Sequence, residues 1–222
     1  MRVAPEDLRL AVYTEFAQTG RALTVDSLAE RFDLDRPRVR EMLESLHAQR
    51  HLVIDGEHQI VMAHPFTSIP LGFAVMGSQT LWWGGCAWDS FAVPHVVPHE
   101  PQVLVASTCA GCQRPLAWRV NRDEPPTGDE LAHFLVPVRR MWDDVVHTCG
   151  NQRLFCDRGC IDGWLTRTGN ELGSVLDLAG LWRLASHWYD GRLERRYQRR
   201  EPQQAAEYFR HVGLSGDFWG LP

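Results

Sequence analysis

The chain has 222 residues, 44% hydrophobic and 23% charged, with 13 prolines and 18 glycines; that suits one or two domains with a self-sufficient core and excludes a collagen-like or disordered chain. A formal charge of −5 argues against a dedicated nucleic-acid binder. All 23 basic residues are arginine, so there is no lysine for Schiff-base or phosphate-loop chemistry.

The N-terminus, MRVAPEDLRLAVYTEF, places Glu6 and Asp7 where a signal peptide needs its apolar run. The most apolar stretch, residues 69–85, contains Ser78, Gln79, Thr80 and four glycines, too short and too mixed for a membrane span. The expected compartment is the cytoplasm, with no membrane partner. There the six cysteines are thiols or metal ligands rather than disulfides.

Leu8, Leu10, Ala11, Val12 and Phe16 form an apolar stripe of helical spacing. A second helix follows, capped by Thr24 or Asp26, and a third has Pro37 in its first turn and Val39, Met42, Leu43 and Leu46 inward. Residues 51–62 read as two short strands around Asp55-Gly56. Three helices and a hairpin make a winged-helix-like pattern, and such a pattern suggests DNA binding through its third helix. Charge opposes this: residues 1–60 hold eight arginines against eleven acids, although Arg36, Arg38, Arg40 and Arg50 could still form a patch.

From Phe66 on, short apolar runs at 73–76, 103–107, 116–120 and 135–138 alternate with Gly and Pro and read as strands of a mixed or antiparallel sheet. Residues 123–128 read as a loop, and residues around 163–168 and 176–200 as helices. The six arginines and two acids of residues 181–200 suit a solvated helix face. The expected architecture is α+β, with an N-terminal winged-helix-like domain over residues 1–65 and a sheet-containing domain with flanking helices over 66–222.

Two cysteine clusters carry chemistry. In the first, Gly84-Gly85 is a break and Cys86 opens a helix, so Cys86 and Asp89 share one face. A thiol at a helix N-terminus is expected to ionise more easily than usual. Ala87, Trp88, Phe91 and Ala92 surround Asp89 in sequence; if they exclude water, they disfavour its charged form and leave a proton to donate. A buried cysteine with a capping aspartate is the plainer alternative. The second cluster runs from Asp143 through Cys149 and Asn151 to Cys156 and Cys160.

Together, Trp83-Gly-Gly-Cys86-Ala-Trp-Asp89-Ser with Pro94, Ser107-Thr-Cys109, and Val145-Val-His-Thr-Cys149-Gly-Asn151 with Phe155 resemble the organomercurial (alkylmercury) lyase family. The second thiol lies 63 residues after the first. The resemblance implies an alkylmercury-lyase-like catalytic domain behind a winged-helix-like one, with Cys86 and Cys149 as catalytic thiols and mercury ligands, Asp89 as catalytic carboxylate and Cys109 as a structural cysteine. Gly85 departs from the aromatic residue often found before the first thiol, and Gly150 from the second cysteine of some members. Cys112, Cys156 and Cys160 lie outside the family pattern.

The implied activity is protonolysis of the carbon–mercury bond of R–Hg⁺ to R–H and Hg(II). Mercury is a soft acceptor and thiolates are the soft protein ligands. Two thiolates raise the basicity of the carbon on mercury, and Asp89, having taken a thiol proton, returns it to that carbon. No cofactor is required for this, and Hg(II) is the bound product. The resemblance implies organomercurials as substrate, and small cellular thiols or a mercuric reductase as partners for release of Hg(II).

Cys109-Ala-Gly-Cys112 and Cys156-Asp-Arg-Gly-Cys160 offer four thiols for a structural zinc site, provided the fold closes the 43 residues between the halves. Separate thiols, or a mercury relay through Cys156 or Cys160, are alternatives. His95 and His99 make a poor metal pair across Pro98; His147 could favour ionisation of Cys149; and Trp82, Trp83 and Trp88 could wall an organic group or simply pack. Two other functions fit the residues: a relative that binds a metal or organometal without cleaving it, zinc-stabilised or not, and a winged-helix metal-sensing regulator.

Overall fold

Local chemistry sets the N-terminal helices in the computed structural model, which describes residues 3–221. Helix α1 (Pro5–Thr19) starts on a proline with Glu6 and Asp7 in its first turn, where acids favour the helix dipole. Helix α2 (Val25–Phe32) is capped by Thr24, whose hydroxyl accepts from the Ser27 N–H at 3.1 Å. Helix α3 (Arg36–Ala48) is capped by Asp35 and turns Val39, Met42, Leu43 and Leu46 inward, as their spacing predicts. Of the arginines of α3, Arg36 pairs with Asp26 at 2.7 Å and Arg38 with Glu41, while Arg40 is exposed.

The chain then builds one antiparallel sheet. Strands β1 (Val53–Ile54), β2 (Ile60–Ala63), β3 (Phe66–Thr67), β4 (Phe73–Met76), β5 (Leu81–Gly84), β6 (Gln102–Thr108) and β7 (Pro115–Asn121) take the order β1-β2-β3-β5-β4-β6-β7. Burial alternates strictly along β7, so one face is core and the other is wet. A second antiparallel sheet, β10-β8-β9, is made by β8 (Leu131–Phe134), β9 (Gln152–Phe155) and β10 (Ser174–Asp177). Both sheets are wholly antiparallel, which resolves the mixed-or-antiparallel alternative. The 135–138 run is not a strand: β8 ends at Phe134, and Pro137 leads into a short 3₁₀ turn.

Helix α4 (Ala87–Val96) runs between β5 and β6 and is buried on nearly every side, packed between the large sheet and helix α7 (Leu178–Ser186). Pro94 stands inside it, and the Arg122 guanidinium donates to the carbonyls of Pro94 (2.8 Å) and Val97 (3.1 Å), satisfying acceptors at the helix end. Glycines let α4 approach β5. A Cβ on Gly84 would fall 2.1 Å from Ser90 Oγ, and one on Gly85 would fall 2.3 Å from Asp89 Oδ2. Gly85 therefore makes the space that the Asp89 carboxylate fills.

Helices α5 (Val145–Gly150), α6 (Arg158–Thr168) and α8 (Pro202–His211) complete the fold. The helix expected over 176–200 is a correction. Residues 174–177 are strand β10, α7 ends at Ser186, and the chain beyond is turns, with left-handed backbone at Gly191 and Arg196. Its arginines divide: Arg183, Arg195 and Arg196 are exposed, whereas others turn inward. Arg192 is buried beside the rings of Tyr13, Tyr189 and Tyr197, and Arg200 donates to the carbonyls of His187 and Trp188. Among the described residues, no helix is long and apolar enough to cross a membrane.

Candidate active site

Strand β5 ends at Gly84, and Cys86 becomes the N-cap of α4; its sulfur accepts from the Asp89 N–H at 3.4 Å. Asp89, in the first turn, points its carboxylate into the interior with about 1% of its surface exposed. Cys149 arrives from α5, a short helix capped by Asp144, and its thiol lies 3.9 Å from Asp89 Oδ2. Both thiols are buried. The three residues, drawn from two distant sequence clusters, thus meet in one place, with the Cys149 thiol against the Asp89 carboxylate.

Two further side chains hold that carboxylate. His64, in the turn between β2 and β3, places Nδ1 3.0 Å from Asp89 Oδ2, and the Tyr189 hydroxyl donates to Oδ1. Sequence reasoning missed both. They lie 25 and 100 residues from Asp89, and a lone His-Pro or Trp-Tyr pair carries no spacing signal. Burial first, then the charges of Asp89 and Cys86, push the Tyr189 phenol well above its ordinary range, so it remains a donor. The His64 ring meets Trp142 edge-on at 5.9 Å.

The expectation for Cys86 is overturned in one respect. The helix N-terminus does favour its thiolate, but burial, then the neighbouring Cys149 thiol and the charge of Asp89, outweigh it and push Cys86 well above the usual thiol range. For Cys149, the Cys86 thiol pulls downward, while burial and the Asp89 charge prevail and leave it raised. Both groups therefore hold their protons at neutral pH until something displaces them. His147 plays no part in this: its ring lies against the Asn151 amide at 3.4 Å.

Cys86, Asp89, Cys149, His64 and Tyr189 line a common cavity of about 440 Å³. Trp88, Trp188 and Trp219 form part of its apolar wall. Of the three tryptophans flanking Cys86 in sequence, Trp88 alone lines the cavity; Trp82 is packed against Phe66 and Trp83 is 39% exposed. Arg50 and Arg139, both exposed, and half-buried Arg199 and Arg200 also line it, giving a cationic approach to an apolar interior. The ligand atoms of His64, Asp89 and Cys149 lie within 4.8 Å of one another, close enough to surround a metal ion. The other four cysteines gather away from this cavity.

With this geometry in place, likeness to known proteins becomes decisive. The family model for alkylmercury lyases (MerB) matches residues 66–190. The chain belongs to the alkylmercury lyase family. The matched span contains Cys86, Asp89, Cys149 and Tyr189, while His64 lies just ahead of it. A solved structure described as the mercury-bound form of MerB2 superposes with a TM-score of 0.61, at 18% identity, over 86% of this chain and 97% of that one. That likeness is one of fold, and it extends an alkylmercury-lyase-like architecture over most of the molecule. No curated protein matches the chain.

Proposed function

We propose that the chain is an organomercurial lyase that cleaves R–Hg⁺ to R–H and Hg(II), with Cys86 and Cys149 as mercury ligands and Asp89 as the proton carrier. The observation that carries this reading is the contact of the buried Cys149 thiol with the Asp89 carboxylate at 3.9 Å, in the same cavity that the buried Cys86 thiol lines. Family membership supports the reaction class.

The chemistry follows from the site. Thiols this hard to ionise need a base when a metal arrives, and Asp89 is in contact with the Cys149 thiol. As the Cys149 sulfur bonds to mercury, its proton passes to Asp89. The Cys86 sulfur adds as the second ligand, and its proton leaves with the thiolate that delivered the organomercurial, as a free thiol. Two sulfur donors concentrate electron density on the carbon bound to mercury. Asp89 then gives its proton to that carbon, the carbon–mercury bond breaks with its electron pair going to the new C–H bond, and Hg(II) stays on two thiolates. Tyr189 and His64 hold the carboxylate still, which limits the motion needed at the moment of transfer.

Tryptophan walls suit an apolar R group. The arginines at the approach suit a small delivering thiol that carries carboxylates, and the same thiols, or a mercuric reductase, would remove Hg(II). Six free cysteines suit the reducing cytoplasm.

Headspace gas chromatography tests the reaction. With excess small thiol, methylmercury is expected to give methane and phenylmercury to give benzene over many turnovers. Binding of mercury with no hydrocarbon release would instead assign the chain to a mercury-binding relative and sink the lyase reading.

A further inference from the structure

The mechanism leaves four cysteines unused, and the fold brings them together. Cys109 follows β6 and Cys112 sits three residues on, in the turn to β7. Cys156 follows β9, and Cys160 lies in the first turn of α6. All four sulfurs lie within 4.8 Å of one another, and those of Cys112 and Cys156 are 3.5 Å apart. A tetrahedral zinc ion with Zn–S bonds of about 2.3 Å sets its sulfurs about 3.8 Å apart. The cluster therefore already has the dimensions of a closed four-thiolate site.

The surrounding backbone is built for this. The Cys112 and Cys156 N–H groups point at the Cys109 sulfur, at 3.5 and 3.4 Å, which suits a charged sulfur better than a neutral one. The turn closes through Gln113 N–H to the Cys109 carbonyl at 2.9 Å, with Gln113 itself in the left-handed region. Gly111 permits the close approach of the two halves: a Cβ there would fall 2.5 Å from the Cys160 carbonyl oxygen and 2.7 Å from the Cys160 Cβ. Arg167 of α6 donates to the Gly111 carbonyl at 2.6 Å, and the Ala110 N–H donates to the Leu154 carbonyl at 3.2 Å.

We propose that Cys109, Cys112, Cys156 and Cys160 bind one zinc ion in a closed, structural tetrahedral site. It clamps the β6–β7 turn of the large sheet to the β9–α6 corner of the small one. Four thiolates fill every position of the ion, leaving none for a substrate, as in structural rather than catalytic zinc sites. None of the four lines the cavity, so the ion stands outside the path of mercury. The clamp nevertheless bears on the active site, because β9 begins three residues after Cys149. The zinc site stands independently of the lyase reading.

The test uses the full chain purified in reductant without chelator or added metal. Mass spectrometry of its metals is expected to give about one zinc per chain. Cys112→Ser and Cys160→Ser should each fall below about 0.1 equivalent, whereas Cys86→Ala and Cys149→Ala keep the full complement. Cobalt(II) exchanged into the unmodified chain is expected to show the intense visible bands of tetrahedral cobalt with thiolate charge transfer. The unmodified chain decides the matter even if the serine variants fail to fold. Less than about 0.1 equivalent of zinc with an octahedral cobalt spectrum overturns the proposal. So does iron in place of zinc, or loss of the zinc in Cys86→Ala.

Discussion

Asp89→Asn is expected to yield a protein that takes organomercurials onto one thiol, whose proton leaves with the delivering thiolate, but releases hydrocarbon on the order of 10²–10⁴-fold more slowly, the usual contribution of a positioned proton donor. The amide is nearly isosteric with the carboxyl. The Tyr189 hydroxyl can still donate to its oxygen, and the His64 ring, as the other tautomer, can accept from its nitrogen. Packing and both hydrogen bonds thus survive, and only the capacity to take and return a proton is lost. Two readouts separate chemistry from binding. Hydrocarbon release falls, while intact-protein mass spectrometry finds R–Hg retained on the chain rather than Hg(II). A turnover within a few-fold of the parent would remove Asp89 from the reaction and leave the two thiols to account for it alone.

Arg9→Ala is expected to destabilise the fold by about 2–4 kcal/mol, the cost of leaving backbone acceptors without their donor. Arg9 is fully buried on α1. It pairs with Glu6 at 2.7 Å and donates to the carbonyls of Arg192 at 2.8 Å and Glu194 at 2.5 Å. Arg192 in turn donates to the Tyr13 hydroxyl at 2.8 Å, and its guanidinium lies 4.9 Å from the centre of the Tyr189 ring. Truncation leaves two carbonyls without their donor and frees the segment that carries Tyr189. For a chain of this size the cost corresponds to a fall of roughly 10 °C in melting temperature, read by circular dichroism. A shift below about 2 °C would show that water replaces the guanidinium without penalty.

The same arginines explain what was legible in the sequence and what was not. Helices α1 to α3 were readable because their caps and apolar spacing are local: Thr24, Asp35 and Pro37 act within a turn of where they stand. Strands β4, β6 and β7 are legible as apolar runs set off by glycine and proline, whereas β3 has only two residues, and β9 and β10 mix in Gln152, Arg153, Ser174 and Asp177 and make no apolar run. Residues 187–200 read as helix in sequence but fold as turns, with backbone carbonyls satisfied from outside the segment, by Arg9, or across it, by Arg200. Cys86, Asp89 and Cys149 stood out through their resemblance to a family rather than through any local physical signal. His64 and Tyr189 reach the carboxylate only by tertiary folding, and no spacing rule finds them. The ionisation of Cys86 departs from its sequence expectation because the helix end can be read from sequence, whereas burial beside another thiol and a carboxylate cannot.

The tryptophans on the cavity wall give the molecule a built-in optical reporter. Trp88, Trp142, Trp188 and Trp219 all border the space into which the two thiols face. A heavy atom held there promotes intersystem crossing in nearby excited indoles through spin–orbit coupling. Arrival of mercury should therefore dim the intrinsic emission, and its removal by a competing thiol should restore it. Loading and unloading of the pocket could then be followed in stopped flow without any added dye.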